Sequence, residues 1–181
     1  MSKEIKITSP EEVESYILKL SASANATTQT LTTKMKGLDP LEFLAKIKFC
    51  QIGCDPLDTD RELNMIEQLD QTFTYLASFM AVEYLYTVHP EIPCYRLNLG
   101  TSGGHDIESC PDNTQIICKV CAAVRPTNNN KLRKDAERLT TKSSKHKYVF
   151  FMCPGYDRGM QSSDVSYPDV KVYSLGLLVA W

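Results

Sequence analysis

Two residues of opposite charge mark the stretch GGHDIESCPDNTQIICKVCAAVRP, Gly103 to Pro126. It reads as two short strands joined by a polar turn. Asp106 lies near the tip of the first strand, and Lys119 is the only charged residue between Gln115 and Val124 in the second. Alternation puts Ile117, Lys119 and Cys121 on one face of that strand and Ile116, Cys118, Val120 and Ala122 on the other. The second set makes a core face, so Lys119 is expected off it, in one pocket with Asp106. Opposite unit charges about 4 Å apart attract by roughly 4 kcal/mol at an intermediate effective dielectric, before desolvation is subtracted. Such a pair is either a structural ion pair or the acid and base of a reacting site.

Three further acids are candidates to join Asp106. Glu67 lies on a long amphipathic helix, where its other role is that of a surface glutamate. Glu108 shares a strand face with Asp106, and Asp112 reads as a turn residue. Cations gather further on. NNNKLRKD opens a helix with a polar, basic start, whose amides and Lys131, Arg133 or Lys134 could meet a phosphate. Lys142, Lys145, His146 and Lys147 flank the next strand. Together these make one local basic patch, with a solvated cationic face as the alternative. Among the histidines, His105 sits in a glycine-rich turn, and His89 and His146 sit at element boundaries.

These side chains need elements to hold them. Ser9-Pro10-Glu11-Glu12 is a helix start, with a serine cap, a proline in the first turn and a glutamate at the third position. A short helix to about Leu20 is expected, then a flexible linker near 21–37, where Ser, Thr and Ala dominate. Asp39-Pro40-Leu41-Glu42 opens a second helix to about Phe49, and 53–58 reads as a turn. The longest element is expected over about 60–88, with Leu63, Ile66, Leu69, Phe73, Leu76, Met80 and Tyr84 as its buried stripe. Pro90 and Pro93 end it. Beyond Pro93 the apolar period changes from 3.6 to 2. Strands are expected at about 94–100, 103–110, 115–124, 147–153 and 170–175, in one sheet. A crossover helix with asparagine caps is expected over 128–141. The long helix belongs on one face of that sheet and the crossover helix on the other, which makes an α/β layered fold. Residues 1–58 form a helical extension in this reading, and 59–181 the core.

The totals limit what the chain can do. With 181 residues, 43% of them apolar, it can bury a core without disulfide or metal staples. The net charge of −2 gives no global field for nucleic acid, so any polyanion must be held by a local patch. No apolar run approaches a membrane span, and no secretory signal is visible, so a cytoplasmic or otherwise intracellular protein is expected. The seven cysteines are expected to be free thiols without zinc. Two spacings resemble zinc motifs, Cys50-x3-Cys54 and Cys118-x2-Cys121, and the second puts its two thiols on opposite strand faces.

The element order α, β, β, β, α, β, with an acid ending one strand and a lysine in the next, resembles the PD-(D/E)XK nuclease superfamily over residues 60–175. In the family an acid precedes that lysine by two residues; Ile117-Cys118-Lys119 keeps the lysine and lacks the acid, and the other register, Lys119-Val120-Cys121, puts lysine at the acid position and cysteine at the lysine position. The resemblance implies an αβββαβ restriction-endonuclease-like core with a central mixed sheet flanked by helices. It implies a Mg-dependent endonuclease, related to restriction or defence, hydrolysing phosphodiester bonds in nucleic acid, DNA before RNA. In that reading Asp106, Lys119 and Glu67 are catalytic, and Asp106, Glu67 and Glu108 hold magnesium. Lys131, Arg133, Lys134, Lys145 and Lys147 contact the nucleic acid, and two-strand cleavage would call for a homodimer. The missing acid supports a second expectation: a catalytically inactive member of the same fold that binds nucleic acid or a protein partner. A third is an unrelated α/β fold.

Overall fold

The computed structural model describes residues 3–100, 104–125, 130–161, 167 and 169–177. The chain divides into two compact units, Met1–Val13 with Ala77–Trp181, and Glu14–Leu76. The fold is mixed α/β, with a mixed seven-stranded sheet and a separate two-stranded sheet.

The first unit holds the large sheet. Its strands are β1 (Glu4–Ile7), β4 (Tyr95–Asn98), β5 (Ile107–Ser109), β6 (Ile116–Ala122), β7 (His146–Met152), β8 (Gly159–Met160) and β9 (Lys171–Ser174). They lie in the order β1-β4-β5-β6-β7-β9-β8. From β1 to β6 each neighbouring pair is antiparallel, whereas β7 is parallel to β6 and β9 parallel to β7. The five strands expected after Pro93 all join this sheet. Two more, β1 and β8, lie beyond that expectation. They are four and two residues long, and β1 lies far from the other strands in the sequence, ahead of the helix start at Ser9-Pro10.

The crossover from β6 to β7 is α4 (Lys131–Thr140). Its Leu132, Ala136 and Leu139 pack on Ile117, Cys121, Val149 and Phe151, all buried. Full burial of such side chains contributes about 1.5–3 kcal/mol each. On the opposite face, Tyr84 of α3 (Met65–Val88) sets its ring against Tyr148, Phe150 and Tyr173. The sheet of this unit is thus covered on both faces, as its apolar strands require. The helix start expected at Asn128 and Asn129 lies outside the described residues. Asn130 takes the cap position with a positive φ of 52° and no side-chain cap bond.

The second unit contains most of α1 (Pro10–Lys34), α2 (Pro40–Phe49), the hairpin of β2 (Gly53–Asp55) and β3 (Asp58–Leu63), and the first turns of α3. Three expectations are corrected here. The flexible linker near 21–37 is helical as far as Lys34. The segment 53–63, read as a turn and then a helix start, is a hairpin. The stripe of α3 is also rotated in its first half. Ile66, Leu69 and Phe73 are exposed, and Met65, Gln68 and Tyr75 are buried instead.

Gln68 explains much of this. It is 2% exposed and ties three elements together. Its side-chain oxygen accepts the Cys54 N–H at 3.1 Å, and its amide donates to Thr27 on α1. A Cβ on Gly53 would stand 2.1 Å from that oxygen, so any larger residue there would displace the Gln68 side chain. A polar residue occupies the buried stripe of α3, and Ser and Thr occupy the facing stripe of α1. Hydrophobic periodicity is blind to both.

Candidate functional site

Asp106 stands immediately before β5, beside the middle of β6. Its backbone joins the ladder on both sides: Asn98 donates to its carbonyl, and its own N–H donates to Cys118. This register carries the side chain to Lys119. The Lys119 ammonium donates to Oδ1 at 2.9 Å, and the Val120 N–H donates to Oδ2 at 2.8 Å. The pair is largely buried, with side-chain exposures of 13% for Lys119 and 27% for Asp106. The opposition of lysine and aspartate expected from alternation is therefore present.

Lys119 opens onto a cavity of about 660 Å³ between the sheet and the flank of α4. His105, Lys134, Arg138 and Lys142 line it too, and Glu137 is its one carboxylate among the described residues. Glu137 is already engaged, accepting from Arg133 at 2.9 Å and from the Tyr167 hydroxyl at 2.9 Å. Those two donors also hold its pKa below the usual carboxylate value. Lys134 and Lys142 have no ion-pair partner among the described residues. Arg138 reaches the buried Asp135 only at 3.4 Å. The cavity is therefore net positive. Burial lowers the pKa of His105, Glu108 opposes that shift and Lys119 adds to it. Its Nδ1 is buried without a hydrogen-bond partner among the described residues.

The other candidates fall elsewhere. Lys131 is drawn onto Asp135 at 2.6 Å, and Arg133 onto Glu137. Lys145 and Lys147 line a different cavity, with Ser144, Asp169 and Lys171. Glu108 is paired with Arg96 across the β4–β5 ladder at 2.6 Å. Asp112 turns the β5–β6 hairpin by accepting from the Thr114 N–H and hydroxyl. Glu67 belongs to the second unit. It closes a capping box at the start of α3, where its N–H donates to Asn64 Oδ1 at 2.9 Å and its carboxylate faces the Asn64 N–H at 3.4 Å.

Two of the three carboxylates suggested for magnesium, Asp106 and Glu108, are engaged by protein groups. Mg²⁺ takes oxygen ligands in near-octahedral geometry, one or two of them carboxylates. Both oxygens of Asp106 are occupied by protein donors, and Glu108 is neutralised by Arg96. Among the described residues no three His, Cys, Asp or Glu side chains are grouped to hold a metal ion.

Reading the sequence missed Arg138 and the placement of Lys142. A signal was present, because Lys134, Arg138 and Lys142 recur at four-residue steps, the spacing of one helix face. Compared with protein-family models, with curated proteins and with solved structures, the chain has no match. Among the described residues no helix is long and apolar enough to cross a membrane.

Proposed function

We propose that the chain is a nucleic-acid-binding module on a restriction-endonuclease-like core, in which the position of the family's catalytic acid serves to hold a lysine. The observation that carries this reading is the convergence of Lys134, Arg138 and Lys142, beside the neutralised Lys119, on one cavity whose only carboxylate among the described residues is already paired. Cations arranged so attract phosphate without needing a global positive charge. The order α3-β4-β5-β6-α4-β7 supports the core. The engagement of Asp106 by Lys119 and by the Val120 amide favours binding over hydrolysis.

Fluorescence anisotropy with labelled single- and double-stranded DNA and RNA tests this. Binding is expected, with log Kd rising as log salt rises. Lys134→Glu with Lys142→Glu should weaken it for every sequence. The salt slope should fall by about 0.7–0.9 for each phosphate no longer neutralised. Absence of binding at low salt would end the proposal.

The second reading, a Mg-dependent nuclease, is favoured by one observation: an acid beside β5 within 2.9 Å of a lysine on β6. Plasmid and oligonucleotide cleavage with Mg²⁺, Mn²⁺ or EDTA separates the two. Metal-dependent cleavage lost in both Asp106→Ala and Lys119→Ala would replace binding with catalysis.

A further inference from the structure

A second cavity, of about 370 Å³, lies at the starts of β7 and β9 and is lined by Ser144, Lys145, Lys147, Asp169 and Lys171. Its unusual member is Lys147. The residue is 7% exposed, yet its ammonium has only a 3.5 Å contact to the Thr140 carbonyl. A buried ammonium is costly unless an anion or several good acceptors surround it. The Thr140 carbonyl belongs to the last turn of α4 and brings the partial negative charge of a helix end, roughly half a unit. Asp169 adds one carboxylate. Against these stand three lysines, none with an ion-pair partner among the described residues. Lys171 is further fixed by the Tyr148 side chain, its ammonium 3.4 Å from the hydroxyl and 5.3 Å from the ring centre. Glu91 also interacts with Lys145, and the cavity lining, with three lysines to one carboxylate, keeps an excess of positive charge.

That excess selects among phosphates. An internal phosphodiester carries one negative charge, whereas a phosphomonoester carries about 1.5 to 2 at pH 7 and offers three acceptor oxygens. Three lysines lining one cavity, Lys147 buried and Lys145 and Lys171 exposed at its rim, suit the second. The cavity also adjoins the first one: the turn from α4 to β7 sends Lys142 to one and Lys145 to the other.

We propose that this second cavity binds a phosphomonoester, and that its source is the terminal phosphate of a nucleic-acid strand whose backbone lies on the first cavity. The choice of source rests on the binding function proposed above; the phosphoryl chemistry does not.

The test uses the full chain, with Lys147→Met, which keeps the length of the stem, and the exposed-site variant Lys145→Glu, which does not disturb the core. Thermal unfolding is followed by circular dichroism in phosphate and in chloride at matched ionic strength. Anisotropy is measured with 3′-labelled oligonucleotides bearing either a 5′-phosphate or a 5′-hydroxyl. Phosphate should raise the wild-type midpoint and leave both variants unmoved. The 5′-phosphorylated strand should bind about tenfold more tightly than its hydroxyl twin to wild type and equally to the variants. No phosphate shift in wild type, or the same shift in folded Lys147→Met and in Lys145→Glu, overturns the site. A phosphate shift with equal affinity for the two strands overturns the terminal-phosphate assignment, while leaving the nucleic-acid function intact. A variant-sensitive phosphate shift with no oligonucleotide binding upholds the phosphoryl site and removes the nucleic-acid function.

Discussion

At the scale of single residues, Asp106 does two jobs that can be told apart. It neutralises Lys119 and it accepts the Val120 N–H. Asp106→Ala removes both and leaves two buried donors unpaired, so unfolding free energy in urea should fall by about 1–3 kcal/mol. Asp106→Asn keeps an acceptor for the amide and should lose less. An acid kept only for catalysis would give the opposite result, a neutral or stabilising substitution. The two histidines with displaced pKa values give a second prediction. Burial is the largest cause at both His105 and His146, and it lowers both. The unfolded chain binds a proton on each near pH 6.5, while the folded chain resists it. Their contribution is therefore complete above about pH 6.5 and declines as pH falls below it toward the folded values. The unfolding midpoint should drop between pH 7.5 and 5.5, and His146→Gln should flatten that drop. The exposed carboxylates with lowered pKa, Glu91 and Asp112 among them, titrate below this window. The Asp106–Lys119 opposition was legible in the sequence because one charge interrupted an apolar strand. The second bond of Asp106 was not, because a backbone amide leaves no mark in residue types.

At the scale of elements, legibility followed the chemistry of the buried stripe. The strands after Pro93 bury Ile, Val, Phe and Tyr, and their nearly continuous apolar runs show plainly. In α1 the half-buried residues between Leu20 and Met35 are Ser23, Thr27, Thr30 and Leu31, and the first two bond to Gln68. Thr28, Thr30, Thr32 and Thr33 return their hydroxyls to carbonyls a turn earlier in the same helix. A helix whose inward face is polar looks like a linker by composition. Ala26→Pro distinguishes the two. In a linker it is harmless; in the interior of α1 it should cost about 3 kcal/mol and reduce the helical circular dichroism signal. Gln68→Leu is the companion test. It leaves the Cys54 N–H without its acceptor, and a loss of about 1–3 kcal/mol is expected in the urea transition. A neutral result would show that the polar stripe is not what orders this unit.

At the scale of the whole molecule, the large sheet is finished by a strand from far away in the sequence. β1 borders β4 in antiparallel register, with Ile7 opposite Tyr95, and the Tyr86 hydroxyl donates to the Ile7 carbonyl. Ile7 is fully buried. Removing residues 1–8 would uncover the edge of β4, an open row of amides and carbonyls able to recruit another chain. The shortened protein should self-associate in sedimentation velocity runs at concentrations where the full chain does not.

The same pairing has a consequence for biosynthesis. About 90 residues separate the two strands, so at roughly 5–20 residues per second β1 leaves the ribosome several seconds before its neighbour exists. During that interval the nascent segment EIKI has no partner in its own sheet. Its two charges alternate with its two isoleucines, which gives the waiting strand one face that water accepts.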